Sequence, residues 1–326
     1  MPVTAYKYKI IKGSILLFFI LMFIFPYASY QGACSGLLLW FLNVLPTLLP
    51  FVIISNLMIK LNIAGQISRI LHPVLGRLLR LSPEGCYPIL LGFLSGIPMG
   101  AKSSADLVIE KRISRKEGGF LLSMCNNASP VFIMNYIAVN QLKLPRIRLP
   151  LFFIVYSSAI LSALLFRFLL NRGSNSDKTL MDIGILSPAH NKGNQSTRFT
   201  FDLMDSSIMN GFEVVTKIGG YIILFSILAR IVDDTIPAMG MLKASFMGIL
   251  EITTGINQIC KIEAALSIKI VLAAVLTSFG GLSGMAQTKS VLGDSGLSLK
   301  TYFAVKVLNA FVTFLLTLIY VFLIMG

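Results

Sequence analysis

Two polar strings interrupt strongly apolar stretches of this chain. They are Leu94-Ser95-Gly96-Ile97-Pro98-Met99-Gly100-Ala101-Lys102 and Gly280-Gly281-Leu282-Ser283-Gly284-Met285-Ala286-Gln287. Each holds a Leu-Ser-Gly core with a phenylalanine before it, Phe93 or Phe279. In lipid, non-helical backbone survives only where protein or a water-filled cavity satisfies its N–H and C=O groups. Paired interruptions in two halves of one chain therefore point to a transport site near the bilayer midplane.

The lipid setting follows from charge. Of 326 residues, 55% are hydrophobic and only 13% charged, whereas a soluble globular chain carries about a quarter charged residues. Apolar runs recur from Ser14 to the C-terminus and leave no room for a large soluble domain. The net charge of +14 lies in loops between the apolar runs rather than on one basic face. It is therefore read as topology-setting charge and not as a nucleic-acid surface.

Several chemistries are not indicated. The four cysteines (Cys34, Cys86, Cys125, Cys260) form no Cys-x-x-Cys pair, and His72 and His190 lie far apart, so neither metal nor cofactor is expected. No Gly-x-x-x-x-Gly-Lys-Ser/Thr loop is present to hold ATP. Ser95 and Ser283 lack the spacing of a hydrolase elbow. An enzyme is not expected.

Lys7, Lys9 and Lys12 precede an apolar run without a clear cleavage site, so residues 14–30 are expected as an uncleaved first membrane helix. A kinked span over 37–59 follows, containing Pro46 and Pro50. Residues 64–81 place Ile67, Ile70, Val74 and Leu78 at helical spacing with Arg69, Arg77 and Arg80 between them, as in a helix lying in the interface. Spans are expected over 120–139, broken at Asn126-Asn127-Ala128-Ser129-Pro130, and over 149–170. Residues 171–207 are polar and read as a linker. The second half supplies apolar runs over 219–232, 238–256, 264–279 and 301–325.

Basic residues choose between two topologies. A full crossing around Ser95 would put Lys111, Arg112, Arg115 and Lys116 outside, whereas a re-entrant hairpin keeps them inside with Lys60, Arg69 and Arg77. The hairpin is preferred, and a second, around Ser283, would open to the outside. Lys143, Arg146 and Arg148 then lie outside, against the rule. The halves also match faintly: residues 51–60 with 221–230, 75–79 with 247–251, Leu94-Ser95-Gly96 with Leu282-Ser283-Gly284, and Asn127-Ala128 with Asn309-Ala310. The fold expected is all-α: a polytopic membrane protein with an inverted repeat, two re-entrant helical hairpins and broken transmembrane helices. Its parts are an N-terminal helix (1–36), a first repeat (37–140), a connecting helix and cytoplasmic linker (141–207) and a second repeat (208–326).

The candidate binding residues cluster at the breaks. Ser95, Gly96 and Pro98 form the first tip, and Lys102 lies in the first turn of the helix after it. There the free N–H groups and positive dipole end favour an anion. Pro130 frees carbonyls beside Asn126, Asn127 and Ser129. These groups suit a polar solute or, with the carbonyls, a cation. Ser283, Gly284 and Gln287 mirror the first tip, and Asn309 lies deep in the last span. Glu251 beside Thr253 and Thr254 offers a carboxylate for a coupling cation or a proton. The plainer alternatives are a structural kink at the tip, a snorkelling Lys102, interhelical glue at the asparagines and a surface position for Glu251.

The string from Gly92 to Lys102, followed by Leu122-Ser123-Met124-Cys125-Asn126-Asn127-Ala128-Ser129-Pro130, resembles the YlbJ family. These are sporulation integral membrane proteins of endospore-forming Firmicutes with two nucleoside-recognition (Gate) domains. The Gate domain is itself similar to the core of concentrative nucleoside transporters. The resemblance implies export of dipicolinic acid from the mother cell across the outer forespore membrane. Dipicolinate is an aromatic dianion that Lys102 and helix N-termini would suit. The second tip departs from the first, having neither proline nor Gly-Ala-Lys. Two alternatives stand beside this one: a Na⁺- or H⁺-coupled nucleoside or small-metabolite carrier, and a non-transporting scaffold or channel subunit of the spore envelope.

Overall fold

A computed structural model describes residues 2–172, 199–236 and 240–324, and the regular structure among them is helical. Helix α1 (Pro2–Ile24) meets α2 (Pro26–Leu39) at a bend of 106°. The continuous span expected over 14–30 is thus broken at Phe25. A residue before proline is driven out of the helical region, and Phe25 sits at φ −118°, ψ 62°. Helix α2 runs through a π-turn (Trp40–Val44) into α3 (Leu45–Lys60). Helix α4 (Ile63–Leu71), a second π-turn (His72–Gly76) and α5 (Arg77–Leu79) then turn away from α3 by 92°. They expose Ile70, Val74 and Leu78 alongside Arg69 and Arg77, the two-faced surface expected of an interfacial helix.

Helices α6 (Cys86–Ser95) and α7 (Met99–Ile109) fold back on each other as a hairpin. Gly96 turns the chain at φ +83°, and a Cβ there would lie 2.6 Å from the Ser129 nitrogen. Only glycine suits both demands. Helix α8 (Arg115–Cys125) begins at Ser114, whose Oγ accepts from the Glu117 N–H. It breaks at residues 126–129 and resumes at Pro130, running on as a π-helix (Phe132–Gln141). Helix α9 (Arg148–Arg172) follows.

Residues 173–198, most of the expected linker, and His190 lie outside the described residues. The boundary drawn at 207/208 falls inside α10 (Phe201–Thr235). Thr200 starts that helix by accepting from the Leu203 N–H at 3.2 Å, a cap that outweighs the polar composition of its first turns.

The second half departs from expectation. Helices α11 (Met241–Leu250) and α12 (Ile252–Lys261) make the hairpin, turning at Glu251. Their limbs are close enough that a Cβ on Gly255 would lie 2.1 Å from the Gly248 Cα. Helices α13 (Leu266–Phe279) and α14 (Gly281–Val291) instead form one candidate span, broken only where Gly280 adopts φ +88°. The hairpin expected around Ser283 is therefore not formed. Ser283, Gly284 and Gln287 lie in α14, because a left-handed glycine relays one helix into the next instead of reversing the chain. Helix α15 (Leu299–Ile324) closes the fold.

Four helices among the described residues are long and apolar enough to cross a membrane, or up to six if each bent pair is one span. The chain is an integral membrane protein. Hydrophobic drive between helices is weak in lipid, so small residues bring backbones together. Gly32 and Gly36 of α2 do this against Ile227, Ile223 and Ser226 of α10. Contacts then gather at two ends. At one, Lys60 meets Ser206, Arg115 lies over Gly296, and Arg167 donates to the Leu79 carbonyl. At the other, Lys243 meets Asp233, and Asn257 donates to Gln141. The breaks and hairpin tips lie between these ends.

Candidate functional site

Glycines bring the first hairpin onto the first break. A Cβ at Gly92 would lie 2.4 Å from the Cys125 carbonyl oxygen, and one at Gly100 2.6 Å from it. The Tyr156 hydroxyl lies 2.9 Å from the Phe93 carbonyl and 3.0 Å from that of Ala128, bridging tip and break. Ile97 at the tip reaches across to Gly280, with 3.4 Å between its Cδ1 and a Cβ built there. From the other side Ile252, at the second tip, lies 3.4 Å from a Cβ on Gly281. Both tips therefore meet at the break between α13 and α14.

The two asparagines have separate work. The Asn126 amide donates to Thr288 Oγ1 at 2.8 Å and to Tyr302 Oη at 2.9 Å, and its Oδ1 accepts from the Ala101 N–H. Its side chain is taken up in tying α7 and α8 to α14 and α15. Asn127 donates to the Met124 carbonyl and turns its Oδ1 to Lys306, 2.9 Å from Nζ.

Lys306 is the residue that the pattern of interruptions misses. It is fully buried and donates also to the Ser278 carbonyl at 3.2 Å, with its ammonium 5.6 Å from the Tyr302 ring centre. The Ser278 carbonyl is open because α13 ends at Gly280 and leaves its last carbonyls without helical partners. Asn309 donates to the same carbonyl at 3.2 Å. Asn127 and Asn309 thus meet through Lys306 and Ser278. Among the described residues Lys306 makes no ion pair within 4.0 Å. A buried ammonium without a counter-charge is costly, and within a membrane it marks function by default. Ser95 Oγ and Asn309 Oδ1 are likewise buried without a hydrogen-bond partner. The signal for Lys306 was present: it is the one charged residue between positions 301 and 325, three before Asn309 and so on the same helix face.

The remaining candidates divide. Lys102 is buried in the first turn of α7 but faces α3, pairing with Asp106 at 2.6 Å and donating to Asn56 Oδ1 at 3.1 Å. Its charge is neutralised away from the asparagines. Pro98, in a cis peptide with Ile97, precedes α7. Ser129 Oγ accepts from the Phe132 N–H where the helix resumes at Pro130. Ser283 Oγ accepts from Gln287 within α14. Glu251 is buried and caps α12, its oxygens accepting from the Thr253 and Thr254 N–H groups at 3.1 and 2.7 Å and from both hydroxyls. In this conformation its carboxylate is occupied by its own helix. No group of three or more metal-ligating side chains occurs among the described residues.

Over an alignment of 310 residues the chain is 26% identical to the sporulation integral membrane protein YlbJ of Bacillus subtilis (strain 168). The chain is homologous to that protein. The similarity covers 87% of this chain and 75% of YlbJ, so it takes in far more than one helix pair. No family model matches the chain, which leaves the Gate domains to the resemblance alone, and no solved structure matches it.

Proposed function

We propose that this chain is a sporulation membrane carrier of a small organic anion, dipicolinate, exported from the mother cell across the outer forespore membrane. The observation that carries the reading is Lys306, a buried ammonium with no counter-charge among the described residues, at the point where two helix breaks and two hairpin tips meet. A carboxylate entering there would supply the missing charge and the acceptor for a third N–H. Homology to a sporulation membrane protein supports the setting, and the chemistry of an aromatic dianion supports the substrate.

We infer an inverted repeat in which α6–α7 corresponds to α11–α12, α8 with its π-helix to α13–α14, and α9 to α15. The reading draws on the two ends of the molecule: each hairpin has its base at a different end and its tip between them. Lys60, Arg69, Arg77, Lys111 and Arg112 gather at the end of the first hairpin, which the positive-inside rule makes cytoplasmic.

The test is uptake of radiolabelled dipicolinate into proteoliposomes holding the purified chain, with and without imposed Na⁺ and H⁺ gradients. Uptake above protein-free vesicles, saturable and competed by unlabelled dipicolinate, is expected. Uptake of nucleosides in place of dipicolinate would favour a coupled nucleoside carrier. No uptake of either would favour a scaffold.

A further inference from the structure

Each hairpin is tied to α10 by a polar contact, and the two contacts lie at opposite ends of that helix. At the first, Lys102 of α7 donates to Asn56 Oδ1 at 3.1 Å, and Asn56 of α3 donates onward to Asn210 Oδ1 of α10 at 2.9 Å. Asp106 holds the lysine in place. This chain edges an open groove of about 290 Å³ that Lys60 and Ser206 also line. At the second, both limbs of the other hairpin grip one residue of α10. Lys243 of α11 pairs with Asp233 Oδ1 at 3.1 Å, and Gln258 of α12 donates to Asp233 Oδ2 at 2.9 Å. Lys243 also donates to the carbonyls of Asp233 and Ile236, and Arg230 braces the same aspartate.

Asn210 and Asp233 are 23 residues apart in α10, about 35 Å at 1.5 Å per residue. That exceeds the roughly 30 Å of a bilayer's hydrocarbon, so the two contacts face opposite membrane surfaces. Elsewhere the hairpins meet their surroundings through glycine and apolar contacts and through further hydrogen bonds, among them Tyr156 to the Phe93 carbonyl, the Ala101 N–H to Asn126 and Asn257 to Gln141. Charge-assisted hydrogen bonds are shorter and roughly twice as strong as neutral ones, so the lysine contacts hold each hairpin more firmly than its neutral ties.

We propose that these contacts are the two latches of an alternating gate: Lys102–Asn56–Asn210 holds the first hairpin shut on one side of the membrane, and Lys243–Asp233–Gln258 holds the second shut on the other. Both are closed in this structure, which is then an occluded state. The inference rests on the carrier reading and adds to it which residues close which side. It also gives Lys102 a gating role in place of substrate contact.

The experiment reads access and not flux. A reporter is placed at the break that both tips cover, Ser283→Cys, with the four native cysteines replaced by alanine. It is labelled with an impermeant maleimide in right-side-out and inside-out vesicles, and Asp202→Cys and Thr235→Cys mark the two surfaces. Lys102→Met is expected to raise labelling about fivefold or more, the low end of a typical coupling between sites, from the Asp202 surface alone. Asp233→Asn is expected to do the same from the Thr235 surface alone. The swap Asp233→Lys with Lys243→Asp is expected to return labelling toward the parent, which separates latch loss from misfolding. Unchanged labelling in both variants, or a rise from the same surface in both, overturns the latches. Side-specific labelling without dipicolinate flux supports the latches and counts against the substrate alone.

Discussion

Replacing Lys306 by methionine separates a substrate-binding charge from a structural one, because the two roles move stability and transport differently. The fold loses two hydrogen bonds, to Asn127 Oδ1 and the Ser278 carbonyl. The Ser278 carbonyl keeps the Asn309 amide, so one buried acceptor, Asn127 Oδ1, is left unpaired, at about 1–3 kcal/mol. Against this, the fold no longer buries an ammonium without a counter-charge, a burden of several kcal/mol. The two effects are comparable, so Lys306→Met is expected to melt in detergent near the parent temperature or above it. Binding has no such offset. Removing one partner of a buried, hydrogen-bonded charge pair costs about 2–5 kcal/mol, or roughly thirtyfold to a few thousandfold in affinity at 1.4 kcal/mol per tenfold. Dipicolinate binding by calorimetry on the purified protein, with flux in proteoliposomes, reads that loss. Near-parental affinity and flux in a well-folded Lys306→Met protein would refute the argument. So would a melting temperature that collapses together with transport, since Lys306 would then be holding the fold.

Asn126→Ala should destabilise: it leaves the Ala101 N–H without its side-chain acceptor, at about 1–3 kcal/mol, and takes one hydrogen bond each from Thr288 and Tyr302, which keep the carbonyls of Gly284 and residue 126, read as a fall in melting temperature. Gly255→Leu should part the limbs of the second hairpin, where even a Cβ meets the Gly248 backbone at 2.1 Å; overpacking of this kind costs about 1–3 kcal/mol or more, and the check is yield and melting temperature. Glu251→Gln weakens the cap of α12 and should cost about 1 kcal/mol while leaving any ion dependence of flux unchanged. A lost ion dependence would make the carboxylate a coupling site.

What the sequence discloses follows from how each feature is written in it. The first tip and the break at Asn126 to Pro130 are clusters of polar and helix-breaking residues in apolar surroundings, and clusters stand out. The second hairpin is written in single residues, Gly248, Glu251 and Gly255, whose effect comes from packing two helices within backbone contact. The repeated Leu-Ser-Gly string points to Ser283 instead, although Gly280 ahead of it only relays α13 into α14. Lys306 is one charge in an apolar run, and its meaning depends on the open Ser278 carbonyl and on Asn127, 28 and 179 positions away. The proline bend at Phe25 was legible in principle, because Pro26 restricts its predecessor.

The backbone contact between α2 and α10 bears on whether the halves can live apart. Gly32 and Gly36 face Ile227 and Ser226 with no room for a side chain between them, and Trp40 donates from its indole to the Val215 carbonyl at 2.8 Å. The helix that opens the second half is therefore the wall against which the first half is built. If the chain is cut between residues 172 and 199 and the pieces are expressed separately, the N-terminal piece should be degraded. Made together in one membrane, the two pieces should find each other and co-purify.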